Sequence, residues 1–192
     1  MTSAPLQARH RYSYEDYLAY ERDCERKHEY DDGEILSMAG GSLRHSALAA
    51  RLTAVLETRR PASCITLQSD TRIRILTTGR ATYPDVSLVC GPIERDPADP
   101  KGETLTNPTL IIEVLSPATE HNDRGEKWWH YQQIPSLQEY VLISQFAPCI
   151  ERYRRIMGGG GGWEYRAFTQ GTVELVSGAV IDLASLYDGL PP

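Results

Sequence analysis

Hydrophobic and polar positions alternate along this chain with two different periods, and the changes of period divide it into elements. Tyr14, Tyr17 and Leu18 recur at helical spacing behind Ser13, with Glu15 and Asp16 in the first turn, which predicts a short helix over roughly 14 to 22. In His28-Glu29-Tyr30-Asp31-Asp32-Gly33-Glu34-Ile35-Leu36, Asp-Gly separates two alternating runs and predicts a hairpin. Leu48, Leu52, Val55 and Leu56 then fall at i, i+4, i+7 and i+8, which predicts a long amphipathic helix from Ser42 to Arg59, ending near Pro61.

From Cys64 the period becomes two. Ile65, Leu67, Ile73 and Ile75 between polar residues suggest one long, half-exposed strand, and a turn at Thr77-Thr78-Gly79 leads to a second strand over Asp85 to Val89. Pro92 to Pro108 has no periodicity and reads as a loop. Leu110-Ile111-Ile112-Glu113-Val114-Leu115 is a buried strand, followed by a turn at Ser116-Pro117, a helix from about Asn122 to Gln133 and a strand over Glu139 to Ile143. Strand, crossover helix and strand in that order suggest a parallel pair in a mixed sheet. The remainder, Ile150 to Tyr153, Trp163 to Phe168, Val173 to Val176 and Val180-Ile181, reads as a β-meander whose first turn holds Gly158 to Gly162. That glycine run lacks the Gly-Lys-Ser/Thr ending of a P-loop and is taken as a flexible hairpin loop.

With 192 residues, 41% apolar and 24% charged, the chain is expected to form a single domain, with a core over about 12 to 145 and the meander as an extension over 146 to 192. No run approaches the ~18 apolar residues of a membrane span, and the first residues carry no signal-peptide pattern, so no membrane partner and a cytoplasmic location are expected. Cys24, Cys64, Cys90 and Cys149 form no CxxC pair and are expected to be reduced, in or near the core. A net charge of −6 argues against coating nucleic acid with the whole surface but leaves room for a local basic groove.

Glu113 breaks the apolar pattern. It lies in mid-strand among five aliphatic side chains, where an unpaired charge costs on the order of several kcal/mol. In a strand Glu113 shares a face with Ile111 and Leu115, while Leu110, Ile112 and Val114 share the other. A Mg²⁺ ion would supply the missing positive charge and takes one or two carboxylates plus water. A second carboxylate is available at Asp85, because Pro84 cannot donate to a ladder and lets the chain turn there. Asp123, Lys127 and Tyr131 follow at i, i+4 steps on one helix face, so Lys127 can reach toward Glu113, where an ammonium can orient a water and stabilise charge on phosphate. Each residue has an ordinary explanation as well. Glu113 could be a strand-end carboxylate meeting solvent or Arg, Asp85 a turn acceptor, and Lys127 an exposed helix lysine.

These pieces resemble the Uma-two family of restriction-endonuclease-like proteins, within the PD-(D/E)XK nuclease superfamily. The resemblance rests on His28 to Glu34, Gly41-Ser-Leu-Arg-His45 opening the long helix, Tyr83-Pro-Asp85-Val, Pro108 to Pro117, Asp123 with Lys127 and Tyr131, and Glu139 to Ile143. It implies an α/β (α+β) restriction-endonuclease-like fold, with a mixed central sheet flanked by helices. It also implies a Mg²⁺- or Mn²⁺-dependent endonuclease acting on nucleic acid, with DNA as the expected substrate, as a homodimer. Asp85 is then the PD acid and Glu113 the acid of (D/E)XK, both binding metal, with the Val114 carbonyl as a further ligand. Leu115 stands where the superfamily motif has Lys, and Lys127 on the following helix is the matching candidate for the catalytic lysine. Glu34 resembles an upstream acid that could complete the metal site, against simple exposure in a hairpin. His45 is an accessory candidate, against capping or packing at a helix start, and Tyr131 is the third accessory candidate. Two rivals stay open: a binding or assembly module on the same fold with a decayed site, motivated by Leu115 and the overall acidity, and a glycosidase using Asp85 and Glu113 as its two carboxylates.

Overall fold

The structure, a computed structural model, describes residues 10–38, 40–99, 101–158 and 161–191. The first helix, α1 (Tyr14–Asp23), begins at a full capping box, in which Ser13 and Asp16 bond each other's backbone N–H groups. The hairpin follows as β1 (His28–Asp31) and β2 (Glu34–Ser37), joined through Asp32 and Gly33, both at positive φ. The long helix α2 (Leu43–Arg59) starts where the Ser42 hydroxyl accepts the His45 N–H and buries Leu48, Leu52 and Leu56 along one stripe.

A six-stranded sheet forms the centre: β3 (Cys64–Gln68), β6 (Val86–Cys90), β8 (Leu110–Leu115), β9 (Glu139–Ser144), β10 (Ile150–Arg155) and β11 (Trp163–Phe168), in the spatial order β11-β10-β9-β8-β6-β3. Strands β8 and β9 are parallel, as the crossover predicts, and the other neighbours run antiparallel. The alternation expected for β8 is present. Leu110, Ile112 and Val114 pack with the apolar stripe of α2, whereas Ile111 and Leu115 pack with Tyr131, Tyr140 and Leu142 on the other face. Glu113 points to that second face.

Against the same side lies a five-stranded sheet ordered β2-β1-β5-β4-β7, built from the hairpin with β4 (Arg72–Arg74), β5 (Ala81–Thr82) and β7 (Thr104–Leu105). The single long strand expected from Cys64 to Ile75 is therefore two. A turn closed by Thr71 N–H on the Gln68 carbonyl (2.9 Å) sends β3 and β4 into different sheets, and the period-two pattern runs through that turn without marking it. The stretch from Pro92 to Pro108 is also more ordered than expected, because Asp99 gathers the N–H groups of Lys101, Glu103 and Thr104 with the Arg72 guanidinium and sets β7 beside β4.

The helix expected after β8 is two short ones, α3 (Glu120–Arg124) and α4 (Glu126–Tyr131), interrupted at Gly125, whose φ of −109° and ψ of −88° are not helical. Of the expected meander, β10 and β11 extend the central sheet, while β12 (Thr172–Glu174) and β13 (Val180–Asp182) pair separately and lead into α5 (Leu183–Tyr187). Within the expected glycine loop, Gly159 and Gly160 lie outside the described residues. Cys64 and Cys90 face each other in the β3/β6 register and form a disulfide, correcting the expectation of four reduced cysteines; Cys24 and Cys149 are free. Linear spacing could not show that pairing, because only the register brings the two residues together. Among the described residues no helix is long and apolar enough to cross a membrane.

Ile112 is fully buried at the centre of β8, so Ile112→Ala is expected to cost about 2–5 kcal/mol. A urea denaturation midpoint lowered in proportion, with an unchanged m-value, is the predicted result.

Candidate active site

Pro84 ends the main-chain pairing of β6 with β8 at Val86, opposite Ile112. Asp85 continues that pairing with its side chain: its Oδ2 accepts the Val114 N–H at 2.7 Å, and its own N–H donates to Glu113 Oε2 at 3.2 Å. The Pro-Asp pair thus locks two carboxylates side by side at the end of a buried strand. Tyr131 reaches up from α4 and donates its hydroxyl to Glu113 Oε1 at 2.9 Å, fixing the carboxylate from below.

Lys127, one turn earlier on α4, places its Nζ 3.3 Å from Glu113 Oε1, 3.2 Å from Asp123 Oδ1 and 3.0 Å from Glu29 Oε1. The break at Gly125 leaves Asp123 and Lys127 facing each other. Glu29 comes from β1 and is held by the Thr82 hydroxyl at 2.5 Å and the Arg80 guanidinium at 3.3 Å. On the other side of Asp85, His45 in the first turn of α2 puts its Nε2 3.1 Å from Asp85 Oδ2.

Burial raises the pKa of Glu113 to about 8 even though the Lys127 ammonium opposes the rise; Asp123, Asp85 and Glu29 add to it. Burial raises Asp123 as well. Burial also works against ionised Glu29, but Lys127, the Thr82 hydroxyl and Arg80 outweigh it and hold its pKa below the ordinary value. Desolvation disfavours the Lys127 ammonium, yet Glu113, Glu29 and Asp123 together raise its pKa well above normal. The His45 pKa is raised, first by its hydrogen bond to Asp85. Four carboxylates here, Glu29, Asp85, Glu113 and Asp123, are met by Lys127 on three of them, by His45 on Asp85 and by an Arg80 on Glu29 that also serves Asp31 at 3.1 Å. Such a surplus of hard oxygen donors fits a divalent cation.

Asp85, Glu113, Val114, Lys127 and His45 line one cavity of about 270 Å³. Its mouth, at Met38, Gly40, Gly41, His45 and Asp85, is shared with an open groove of about 720 Å³ that carries Arg26 and Lys27. Tyr131 is buried beneath the cavity and acts on it through Glu113. Glu34 is not brought to the cavity: it is exposed on β2, the edge strand, opposite Asp31. The inward acid of the hairpin is Glu29, on the strand that β5 pairs from the other side. Alternation puts Glu29 on the same sheet face as Glu34, and the sequence holds no sign of which hairpin strand lies inward.

A second acidic group lies outside the cavity. Ligand atoms of Asp31, Glu126 and His130 fall within 4.8 Å of one another, a set that could hold an ion. There, however, Arg80 Nη1 already stands 3.1 Å from Asp31 and 3.9 Å from Glu126 and supplies the countercharge.

A model of the Uma2 family, described as "Putative restriction endonuclease", matches residues 14–186. Two uncharacterised proteins of Synechocystis are similar, one 39% identical over 152 residues, covering 79% of this chain and 77% of the relative, the other 35% identical over 146 residues, covering 73% and 79%. A crystal structure described as "a putative nuclease belonging to DUF820 from Anabaena variabilis" shares the fold at a TM-score of 0.69, with 21% identity, covering 92% of this chain and 97% of that one.

The raised pKa of Glu113 predicts a pH signature in metal-free buffer. The unfolded chain releases this proton near the ordinary value of 4.5 and the folded chain keeps it to about 8, so the contribution of Glu113 to stability falls as pH rises through that window and levels off above it. Urea midpoints of the wild type and Glu113→Gln should diverge in favour of Gln between those limits; a pH-independent difference contradicts the assignment.

Proposed function

Because this chain belongs to the Uma2 family of restriction-endonuclease-like proteins, we propose that it is a nuclease that hydrolyses phosphodiester bonds of DNA with Mg²⁺ or Mn²⁺ held by Asp85 and Glu113. The observation that carries the reading is the convergence of these two acids and Lys127 at the floor of one cavity. When bound, the cation would neutralise the paired acids and withdraw charge from the phosphoryl oxygens. The Val114 carbonyl, one residue along from Glu113, is the further oxygen available to it.

The remaining work falls to the chain's own groups. Lys127 stands beside Glu113 with its charge assured by three carboxylates, in position to orient the attacking water and to stabilise charge that grows on phosphate. Its arrival from α4 supports its standing in for the motif lysine that Leu115 replaces, since Leu115 points into the apolar cluster. Tyr131 and the Asp85 N–H hold the Glu113 carboxylate in one orientation. His45 orients Asp85 and stands at the cavity mouth, where a phosphate arriving along the groove meets it. Arg26 lines that groove beside Glu25 and a Lys27 that Asp70 pairs, and is the cation there that would meet a backbone phosphate. Cutting both strands of a duplex would use two copies of this single-site chain as a homodimer.

Purified protein incubated with plasmid and linear DNA should cut in Mg²⁺ or Mn²⁺ and not in EDTA. Asp85→Asn, Glu113→Gln and Lys127→Met should each lower the rate by about 10²-fold or more in protein whose circular dichroism shows it folded at the assay temperature. DNA binding that is indifferent to Asp85→Asn, with no cleavage in either metal, would instead indicate a binding module on this fold.

A further inference from the structure

The central sheet ends on two unlike edges. Along β3 the outward backbone groups are largely taken: the Cys64 N–H donates to the Pro61 carbonyl, the Arg60 guanidinium donates to the Cys64 carbonyl, and the Thr71 N–H donates to the Gln68 carbonyl. β11, at the other end, has no such cover. Its residues Trp163-Glu164-Tyr165-Arg166-Ala167-Phe168 pair with β10 one for one, without a bulge, and none is the Pro or Lys that commonly blunts an edge. The Ile156 N–H donates to the Gly162 carbonyl at 2.9 Å and sets the phase of that ladder. By alternation, the backbone groups of Glu164, Arg166 and Phe168 face β10. Those of Trp163, Tyr165 and Ala167 point away from the sheet, with no partner among the described residues. The middle of the strand, Tyr165 to Ala167, is exposed.

We propose that two copies of this chain pair β11 with β11, antiparallel about a two-fold axis at Tyr165, and so join their central sheets into one. Charge selects that register. With the axis at Tyr165, Glu164 of each copy faces Arg166 of the other in a non-hydrogen-bonded pair, where opposed side chains lie closest. Moving the axis by one residue, to Glu164 or to Arg166, sets like charges face to face. In the single chain Arg166 turns back on Glu164 of its own strand at 2.7 Å, and both side chains are largely exposed and free to take the partner copy's. The outward backbone groups match in the same register: Tyr165 meets Tyr165, and Trp163 meets Ala167 on either side, each pair exchanging two hydrogen bonds. The Tyr165 ring, 52% exposed and packed on one side against Tyr153, gains a copy of itself across the axis. Trp163 holds that end of the strand in place through Trp128 and Arg155. This interface would serve the homodimer of the nuclease reading, but it rests on the sheet edge and not on the chemistry of the cavity.

Sedimentation velocity of the full chain at micromolar concentration should show a dimer. Glu164→Arg and Arg166→Glu should each raise its dissociation constant at least tenfold, because each sets like charges opposite one another. Mixed in equal amounts, the two variants should restore the dimer as a heterodimer, since every Arg then faces a Glu; a purely structural defect in either variant would not be repaired by mixing. Ala167→Pro removes an outward N–H and none of the bonds to β10, and should also give a monomer. Hydrogen exchange needs no variant: the Trp163, Tyr165 and Ala167 amides should become protected as the wild type is concentrated from monomer to dimer. A monomeric wild type whose edge amides stay unprotected overturns the inference, leaves the edge to an extended segment of another protein, and does not touch metal-dependent cleavage, which has its own assay. A dimer unmoved by Ala167→Pro and by both charge variants uses another surface and overturns the inference equally.

Discussion

The contact between Glu113 and Lys127 governs the arrangement around it. A carboxylate in the middle of an aliphatic strand is tolerable only with partners, and here each partner comes from a different element: the ammonium and the Tyr131 hydroxyl from α4, and the Asp85 N–H from the chain just before β6. These demands fix where the crossover helix crosses the sheet end and why β6 gives up its ladder at Pro84. A partner removed from such a site leaves a buried charge behind. The site and the fold are thus coupled: the groups that would do chemistry are also those that make the centre of the sheet tolerable.

Charge around that contact is unbalanced in a particular direction. Glu29 is compensated by Arg80 and Lys127, and Asp85 by His45, but Glu113 and Asp123 share Lys127 with a third acid. Burial, opposed by Lys127 and reinforced by Asp123, Asp85 and Glu29, keeps a proton on Glu113 up to about pH 8. A divalent ion would displace that proton, so cation binding and protonation become alternative ways of satisfying the same carboxylates. In the second acidic group, Asp31 with Glu126 and His130, the same Arg80 that meets Glu29 stands among the ligand atoms.

Much of this was legible in the chain, for local reasons. The face on which Glu113 sits follows from strict alternation in β8, the turn at Asp85 from the missing N–H of Pro84, and the reach of Lys127 and Tyr131 from their i, i+4 spacing, which survived even where Gly125 broke the helix. What escaped depended on long-range placement. Glu34 and Glu29 occupy the same hairpin face, and only the pairing of β1 with β5 made Glu29 the inward one. The split of the Cys64 to Ile75 stretch between two sheets hid behind a polar turn that keeps the strand period. The Cys64–Cys90 bond required the register of β3 against β6.

The central claim is that the acids at the end of β8 hold a divalent cation for phosphodiester chemistry. The most direct test is a crystal of this protein grown with Mn²⁺ and measured at the manganese edge. The account predicts an anomalous peak inside the cavity, within about 2.0–2.3 Å of carboxylate oxygens of both Asp85 and Glu113. A peak only among Asp31, Glu126 and His130, or no peak while Lys127 keeps its three carboxylates, would contradict it.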